Sequence, residues 1–355
     1  MESRGTADTA DRAKDSSARS ATPRVGELLR HHEKSDKPEK PKKPDKKGKS
    51  KDKAEKRSEK SGGKKSGPKG EKKSGKKPGK KGKQKAKRKG SEYTAETADK
   101  YELYQLSVQS PEADVEFLLE TFRKERRRTP HVLREDFCGT GLLMCEWVSQ
   151  GPKFRAEGFD LDPEPIAWGK EHNWPKYGDA TARIRMHLED ARSRGEVKSD
   201  VTVAQNFSYS LFKDRASLLD YLRSAYENLT DDGMFVMDVY GGPESVEPME
   251  EEREIEEGFV YVWDQIEYYP GTGEFRCAIH FNFEDGTQLR DAFEYDWRVW
   301  HMTELKDLLR EAGFKSALSY FEGDDPETGE GDGNFTKDER GENCDAWIAY
   351  LVALK

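Results

Sequence analysis

Four cysteines in 355 residues, with no CxxC pair and no zinc-ligand spacing, exclude a disulfide-stapled scaffold and suggest a reducing compartment. Neither a disulfide nor a metal site is expected. No apolar run approaches the roughly 18 residues needed to span a bilayer, and the first residues lack the apolar stretch of a secretory signal. The chain is therefore expected in the cytoplasm, with no membrane association. Aromatic residues are absent before Tyr93. Any nucleic-acid contact made by that part of the chain would lack base stacking and so be non-specific.

What the first 92 residues do contain is Lys, Gly, Ser and Pro, with scattered apolar positions such as Val25, Leu28 and Leu29. Such a segment cannot bury enough apolar surface to offset its ordering entropy and is expected to be a disordered tail over 1–92. The net charge of −8 conceals two opposite halves. Residues 1–90 hold 33 basic and 13 acidic side chains, the remainder 29 and 57. Three roles stay open for the tail: salt-sensitive association with RNA, ribosomes or another polyanion, folding back on the acidic remainder, or a solvated linker without a partner.

Residues 93–355 suffice for one α/β domain with an added subdomain. Apolar residues at helical spacing from Asp99 to Arg128, broken at Ser110-Pro111, predict one or two helices. Strand-like runs at His131–Glu135, Arg155–Phe159, Arg183–Leu188, Asp200–Gln205 and Gly233–Val239 alternate with helical patterns at Gly141–Ser149, Pro163–His172 and Arg215–Asn228. That alternation predicts a parallel sheet built of βαβ units. From Phe259 to Trp300 the period changes to two, around turns at 270–273 and 284–287, which predicts an antiparallel meander of about three strands. A helix from Thr303 to Ala312, capped by Gly313, precedes two last strands near Ser316–Phe321 and Ala346–Ala353. The connection between those strands, Glu322 to Asn343, reads as a long acidic loop, functional or disordered, that as a lid would favour a cationic acceptor.

The densest signal is Leu133-Arg134-Glu135-Asp136-Phe137-Cys138-Gly139-Thr140-Gly141, followed by Gly158-Phe159-Asp160-Leu161-Asp162-Pro163. A strand, a tight Gly-x-Gly turn into a helix, and a second strand ending in an acid is how a doubly wound sheet holds a nucleoside. A dinucleotide fingerprint would place Gly or Ala at position 144, where this chain has Met144, which weakens a dehydrogenase reading.

These residues resemble the first motifs of the class I S-adenosylmethionine-dependent methyltransferases, and the match extends over roughly Tyr101 to Lys355. It is similar in particular to an uncharacterised bacterial and plant group with the Glu-Asp-Phe-Cys-Gly-Thr motif. The resemblance implies a Rossmann-like seven-stranded sheet, with the antiparallel insert at 243–300 covering substrate. It also implies S-adenosyl-L-methionine as cofactor and methyl transfer to an acceptor, a small molecule being expected because the insert looks like a cover. Glu135, Cys138, Gly139, Thr140 and Gly141 fall at the first motif, with Phe137 in place of the usual first Gly. Asp160, with Leu161 and Asp162 beside it, falls at the ribose position, although Asp162 also suits a helix N-cap before Pro163. Asp190-Ala191 falls at the adenine position.

Gln205 and Asn206 end the fourth strand, where α/β sheets bind ligands, and Asn206, Ser208 and Tyr209 are the residues expected to orient the acceptor. Tyr101 and Tyr104 resemble an aromatic segment that closes over the cofactor, and Arg298 and His301 stand where substrate would meet the end of the meander. No general base is evident. The segment is neither the Asn/Asp-Pro-Pro-Tyr signature of amino-group methylation on adenine or glutamine nor a Pro-Cys pair for carbon methylation of pyrimidines. A cofactor-binding or interaction module without catalysis remains an alternative, and the oligomeric state is not legible.

Overall fold

The structure is a computed structural model, described here for residues 93–324 and 331–355. The expectations for the tail at 1–92 fall outside the described residues.

Two helices come first, α1 (Lys100–Val108) and α2 (Pro111–Arg126), separated at Ser110-Pro111 because Pro suits a first helical turn and disfavours a helical residue before it. Then come β1 (Val132–Asp136), α3 (Leu142–Ser149), β2 (Arg155–Asp160), α4 (Pro163–His172), the single turn α5 (Trp174–Tyr177), β3 (Ile184–Leu188), β4 (Ser199–Ala204), α6 (Arg215–Asn228) and β5 (Leu229–Gly241). A run of strands follows: β6 (Met249–Ile255), β7 (Phe259–Tyr269), β8 (Glu274–Phe283) and β9 (Gln288–Arg298). The chain closes with α7 (Met302–Ala312), β10 (Ser316–Asp324), β11 (Gly331–Lys337) and β12 (Trp347–Leu354).

The large sheet has the order β11-β10-β12-β5-β4-β1-β2-β3. β1 to β5 run parallel, and β12 enters antiparallel to β5 with Tyr350 opposite Asp238. Alternation along β5 feeds two cores. Met234 and Val236 pack with α2 and α3 through Leu118, Phe122, Met144 and Trp147, whereas Phe235 and Met237 pack with α6 and α7 through Leu222, Leu305 and Leu309. Helices on both faces are what a parallel sheet needs, because each face exposes an apolar row.

Two corrections arise here. The sheet has an eighth strand beyond the expected seven, because β11 forms inside the acidic segment read as a loop and pairs antiparallel with β10, Tyr320 opposite Lys337. The antiparallel region has four strands in the order β6-β7-β8-β9, not about three, since β6 precedes the expected start. Both missed strands carry few apolar residues and are recruited by backbone pairing to a neighbour.

The four-stranded sheet presents one face to the rim of the larger one. Tyr261, Phe275, Cys277 and Ile279 form a third core with Leu103 and Val108 of α1, Phe207 after β4, Tyr240 of β5 and Ile348 of β12. The carboxyl ends of β1 and β4, where the order of connections reverses, thus lie beneath α1 and the small sheet.

Candidate functional site

The turn after β1 is built for close approach of a ligand. Gly139 and Gly141 adopt φ of +50° and +66°, a region that costs an L-residue roughly 1–2 kcal/mol. A Cβ at Gly139 would meet nothing within 4 Å, so the backbone there faces open space. Phe137, standing where the related motif has Gly, also has positive φ, and its ring turns toward Phe212 and Tyr221. The third glycine of the dinucleotide pattern is unnecessary because Met144 packs over Gly158 of β2, where a Cβ would come within 2.5 Å of its methyl. The turn is fixed from outside by α4 and α1: Gly169 abuts the Thr140 carbonyl, and Gln105 Nε2 donates to Thr140 Oγ1 at 2.8 Å.

Asp160, at the end of β2, accepts from the Gly139 amide at 2.8 Å and the Asp162 amide at 2.9 Å, one bond to each oxygen. Its carboxylate is thereby aimed along the turn with lone pairs to spare. Asp162 caps α4, its side chain accepting from the Glu164 amide at 2.9 Å. Leu161, 69% exposed, and Leu211, 45% exposed, flank a largely apolar cleft of about 590 Å³ that also includes Phe137, Asp160, Asp190, Ala191 and Phe212. Exposed leucines on facing walls are what a flat apolar ring system would cover. Asp190 is held by Arg192, which donates to both of its oxygens at 2.9 and 2.7 Å and keeps its carboxyl below the usual range.

Beyond β1 lies a second, narrower cavity of a different kind. Its walls carry Asp114 of α2, Glu135 of β1, Asp238 of β5, Gln109, Gln205, Asn206 and Tyr350, with no Lys, Arg or His among the described residues. Glu135 is 7% exposed, and its Oε2 has no hydrogen-bond partner. Burial, and then the charges of Asp114 and Asp160, push its carboxyl well up, partly opposed by a bond from the Met144 backbone. Gln109 Oε1 is also buried without a partner. Unmatched acceptors in such a cavity favour a ligand that brings hydrogen-bond donors.

Asn206 and Phe207 adopt φ of +55° and +56° in succession, and their amides donate to the two oxygens of Asp238 at 2.7 and 3.0 Å. Burial raises Asp238 to about 7, against these bonds. Tyr350 donates to Asp114 at 2.5 Å and receives Gln205 Nε2 at 3.4 Å.

The residues expected from sequence divide accordingly. Glu135, Cys138, Gly139, Thr140, Gly141, Asp160, Leu161, Asp190, Ala191, Gln205 and Asn206 gather along the carboxyl ends of β1 to β4. Ser208 and Tyr209 do not reach either pocket: the Ser208 hydroxyl donates to the Gln205 carbonyl at 2.8 Å, and Tyr209 is 2% exposed in the core beneath α6. Arg298 is likewise occupied elsewhere, bonded to Glu304 at 2.8 Å and stacked on Trp300, while His301 is the exposed N-cap of α7. Tyr101 packs against Trp168 and Phe293, and Tyr104 against Phe293 and Tyr295 under the small sheet, so α1 is clamped where the resemblance implies a cover.

Asp238, Asp114, Gln109 and Tyr350 were not singled out from sequence. For Asp238 a signal existed, a lone carboxylate inside the apolar run Met234–Tyr240.

Outside the cleft, Glu250, Asp264 and His280 converge to within 4.8 Å, and Arg290 already supplies a cation to that group.

Known structures fit this architecture. A solved S-adenosylmethionine-dependent methyltransferase from Clostridium acetobutylicum matches with a TM-score of 0.53 at 16% identity, over 72% of this chain and 97% of its own. The chain has the fold of these methyltransferases. An amino pentose methyltransferase from Micromonospora echinaspora, solved with S-adenosylmethionine bound, matches at 0.51 with the same identity and coverage. No protein-family model and no curated protein matches the chain.

Proposed function

We propose that the chain is an enzyme that transfers a methyl group from S-adenosylmethionine to a small-molecule acceptor. The observation that carries this reading is the buried Glu135 Oε2, without a hydrogen-bond partner among the described residues, at the end of the same strand that enters a glycine turn facing open space. When bound, the donor supplies a methyl group on a sulfonium, which makes the methyl carbon electrophilic.

The residues present fit that molecule. Asp160 has acceptor capacity for ribose hydroxyls, and Leu161, Phe137, Leu211 and Phe212 offer apolar walls for a purine beside Asp190. Glu135 and the backbone at Gly139 suit the ammonium-bearing end. The chain's own task is to hold the reactants in line and exclude water. For that, α1 is pinned to the turn by the Gln105–Thr140 bond, to α4 by a Lys100–Glu164 ion pair at 3.0 Å, and through Trp168 Nε1 to Asp99 at 2.8 Å.

A small acceptor is favoured over a macromolecule because the acid cavity is enclosed by Val108 and Gln109 from the end of α1, by Phe207 and by Ile348, all backed by the small sheet except Gln109. Among the described residues no helix is long and apolar enough to cross a membrane. Transfer of labelled methyl from the donor into a cell extract, followed by sorting of products by size, tests the reading. Label in small molecules is expected, and label confined to protein or RNA would refute the acceptor class.

A further inference from the structure

Between β3 and β4 the chain makes no helix: residues 189–198 are irregular and lie against β1 and β2. A helix would present an apolar stripe to the strands, whereas a loop presents backbone polar groups that need partners once buried. The strands supply them. Arg134 stands in the middle of β1, 1% exposed, and its Nη2 donates to the carbonyl oxygens of Ala191 at 2.7 Å and Ser193 at 3.0 Å. Its Nε donates to Asp136 Oδ1 at 2.7 Å, the other oxygen of Asp136 accepts from the Tyr221 hydroxyl of α6 at 3.0 Å, and the guanidinium lies 3.8 Å from the centre of the Phe159 ring.

The two gripped carbonyls belong to one turn. The Ser193 amide donates to the Asp190 carbonyl at 2.8 Å, and the amide and guanidinium of Arg192 donate to the Asp190 carboxylate. Asp190, Ala191 and Arg192, together with Phe159, line the apolar cleft that suits a purine. The Arg192 bonds travel with the turn and cannot place it. Ser224 Oγ ties the Arg192 carbonyl to α6 at 2.7 Å, and farther along Asn228 and Glu157 accept from the Gly195 and Glu196 amides, each at 2.9 Å. Arg134 is the tie to β1, the strand that enters the glycine turn, so one element places both the loop beside the purine and the backbone at Gly139.

We propose that Arg134 is a positioning residue for the purine of the methyl donor, fixing the Asp190–Ser193 turn so that the Asp190 carboxylate meets the exocyclic amino group of adenine. The inference rests on the methyl-donor reading and deepens it by naming the residue that sets which purine is accepted. Asp190 Oδ2 accepts from Arg192 and keeps a lone pair for a donor on the purine edge. Arg192 holds this carboxyl below its usual range, so it stays an acceptor. An amino group satisfies it, and a carbonyl oxygen in the same place is repelled. A displacement of the turn by about 1 Å is enough to break such a bond. Stability alone does not account for Arg134 and Asp136, because a buried ion pair contributes little beyond a well-packed apolar pair. What an apolar pair could not do is donate to the Ala191 and Ser193 carbonyls.

The test is calorimetric titration of the full chain with S-adenosylhomocysteine and with S-inosylhomocysteine, in which a carbonyl oxygen replaces the adenine amino group. The wild type is expected to prefer the adenine compound by roughly tenfold or more, because the other leaves Asp190 facing an acceptor. Arg134→Lys keeps a positive charge beside Asp136 but lacks the planar fork that reaches Asp136 and both carbonyls, and should cut the preference to roughly threefold or less. Glu135→Gln, at the other end of the ligand, should weaken both compounds alike and leave the preference at its wild-type value. A preference unchanged in Arg134→Lys, whether or not affinity falls, overturns the proposal. So does a wild type that binds both compounds equally, or a preference that falls as far in Glu135→Gln as in Arg134→Lys. Should Arg134→Lys not fold, Tyr221→Phe decides: it removes only the hydroxyl that holds Asp136 and should lower the preference about twofold, as loss of one neutral-to-charged hydrogen bond behind Arg134. An unchanged preference there overturns the proposal. A wild type that binds neither compound would instead overturn the donor reading, and this inference with it.

Discussion

The two pockets on the rim of the large sheet make opposite demands on a ligand. The cleft beyond β2 is wide and lined by Phe137, Leu161, Leu211 and Phe212, and of its two acids besides Asp160, Asp190 is already matched by Arg192 and Asp162 caps α4. The cavity beyond β1 is narrow, lined by Asp114, Glu135 and Asp238, and has no cation among the described residues. The first selects by shape and apolar contact, the second by charge. One molecule carrying a flat heterocycle at one end and positive charge at the other satisfies both, and neither pocket alone would identify it.

The most damaging single change should be one that strikes the turn the pockets share. A Cβ at Gly169 would sit 2.0 Å from the Thr140 carbonyl, so Gly169→Ala should lower stability by roughly 2–3 kcal/mol and abolish ligand binding at both ends. Thermal unfolding with and without S-adenosylhomocysteine reads both effects, and an unchanged midpoint would show that α4 does not fix the turn.

Next in size is Asp160→Ala. Losing a carboxylate that accepts charge-assisted bonds costs about 1.5–3 kcal/mol, so affinity for S-adenosylhomocysteine should fall ~10- to 100-fold. Retention of wild-type affinity would remove Asp160 from the site.

Glu135→Gln sharpens the contrast between the pockets because it should act on binding and stability with opposite signs. Affinity for the methyl donor should drop about tenfold and, the carboxylate being buried, the loss should change little with salt. The ligand-free protein should unfold no more easily, since an unmatched buried carboxylate is replaced by a neutral amide. Leu161→Ala, in the apolar cleft, should weaken binding only a few-fold. If Leu161→Ala weakens binding as much as Glu135→Gln does, the pockets do not differ as described.

The smallest effect concerns pH and arises away from the pockets. Glu251, buried on β6 with both oxygens unmatched, is pushed up to about 8 by burial and by the charge of Glu244. An unfolded glutamate titrates near 4.3, so between about 4.3 and 8 the folded chain holds a proton that the unfolded chain has released. The sign follows: stability is greatest below that window and declines as pH rises through it. Asp238, raised to about 7, adds in the same direction. Unfolding midpoints from pH 5 to 8.5 should fall, and Glu251→Gln should flatten the decline; a slope unaltered by the substitution would mean that Glu251 does not hold that proton.

Sequence patterning exposed the parts of this molecule in which apolar periodicity and turn chemistry agree. The bounds of α4 and α6 were legible to the residue because Asp162 and Asp214 cap them and one apolar face runs through each. The glycine turn and Asp160 were legible because backbone conformation leaves a mark on residue type. β11 (Gly331–Lys337) was not, since Gly-Asp-Gly-Asn has low strand propensity and forms only at an edge, against β10. β6 hid for another reason: its inward positions include Glu251 and Arg253, so the period of two is masked by charge on both faces. In the site, Ser208 and Tyr209 looked reactive by residue type, yet one caps its own loop and the other is core. Asp238 was passed over because its partners, the Asn206 and Phe207 amides, are 32 and 31 residues distant and no local pattern links them.

The most direct trial of the central claim is calorimetric titration of S-adenosylhomocysteine into the full chain, wild type and Asp160→Ala side by side. One saturable site in the wild type, severely weakened in the variant, is the outcome expected if the turn at Gly139 and the Asp160 carboxylate grip the methyl donor. Heats that never saturate in the wild type, or equal affinity in both proteins, would contradict it.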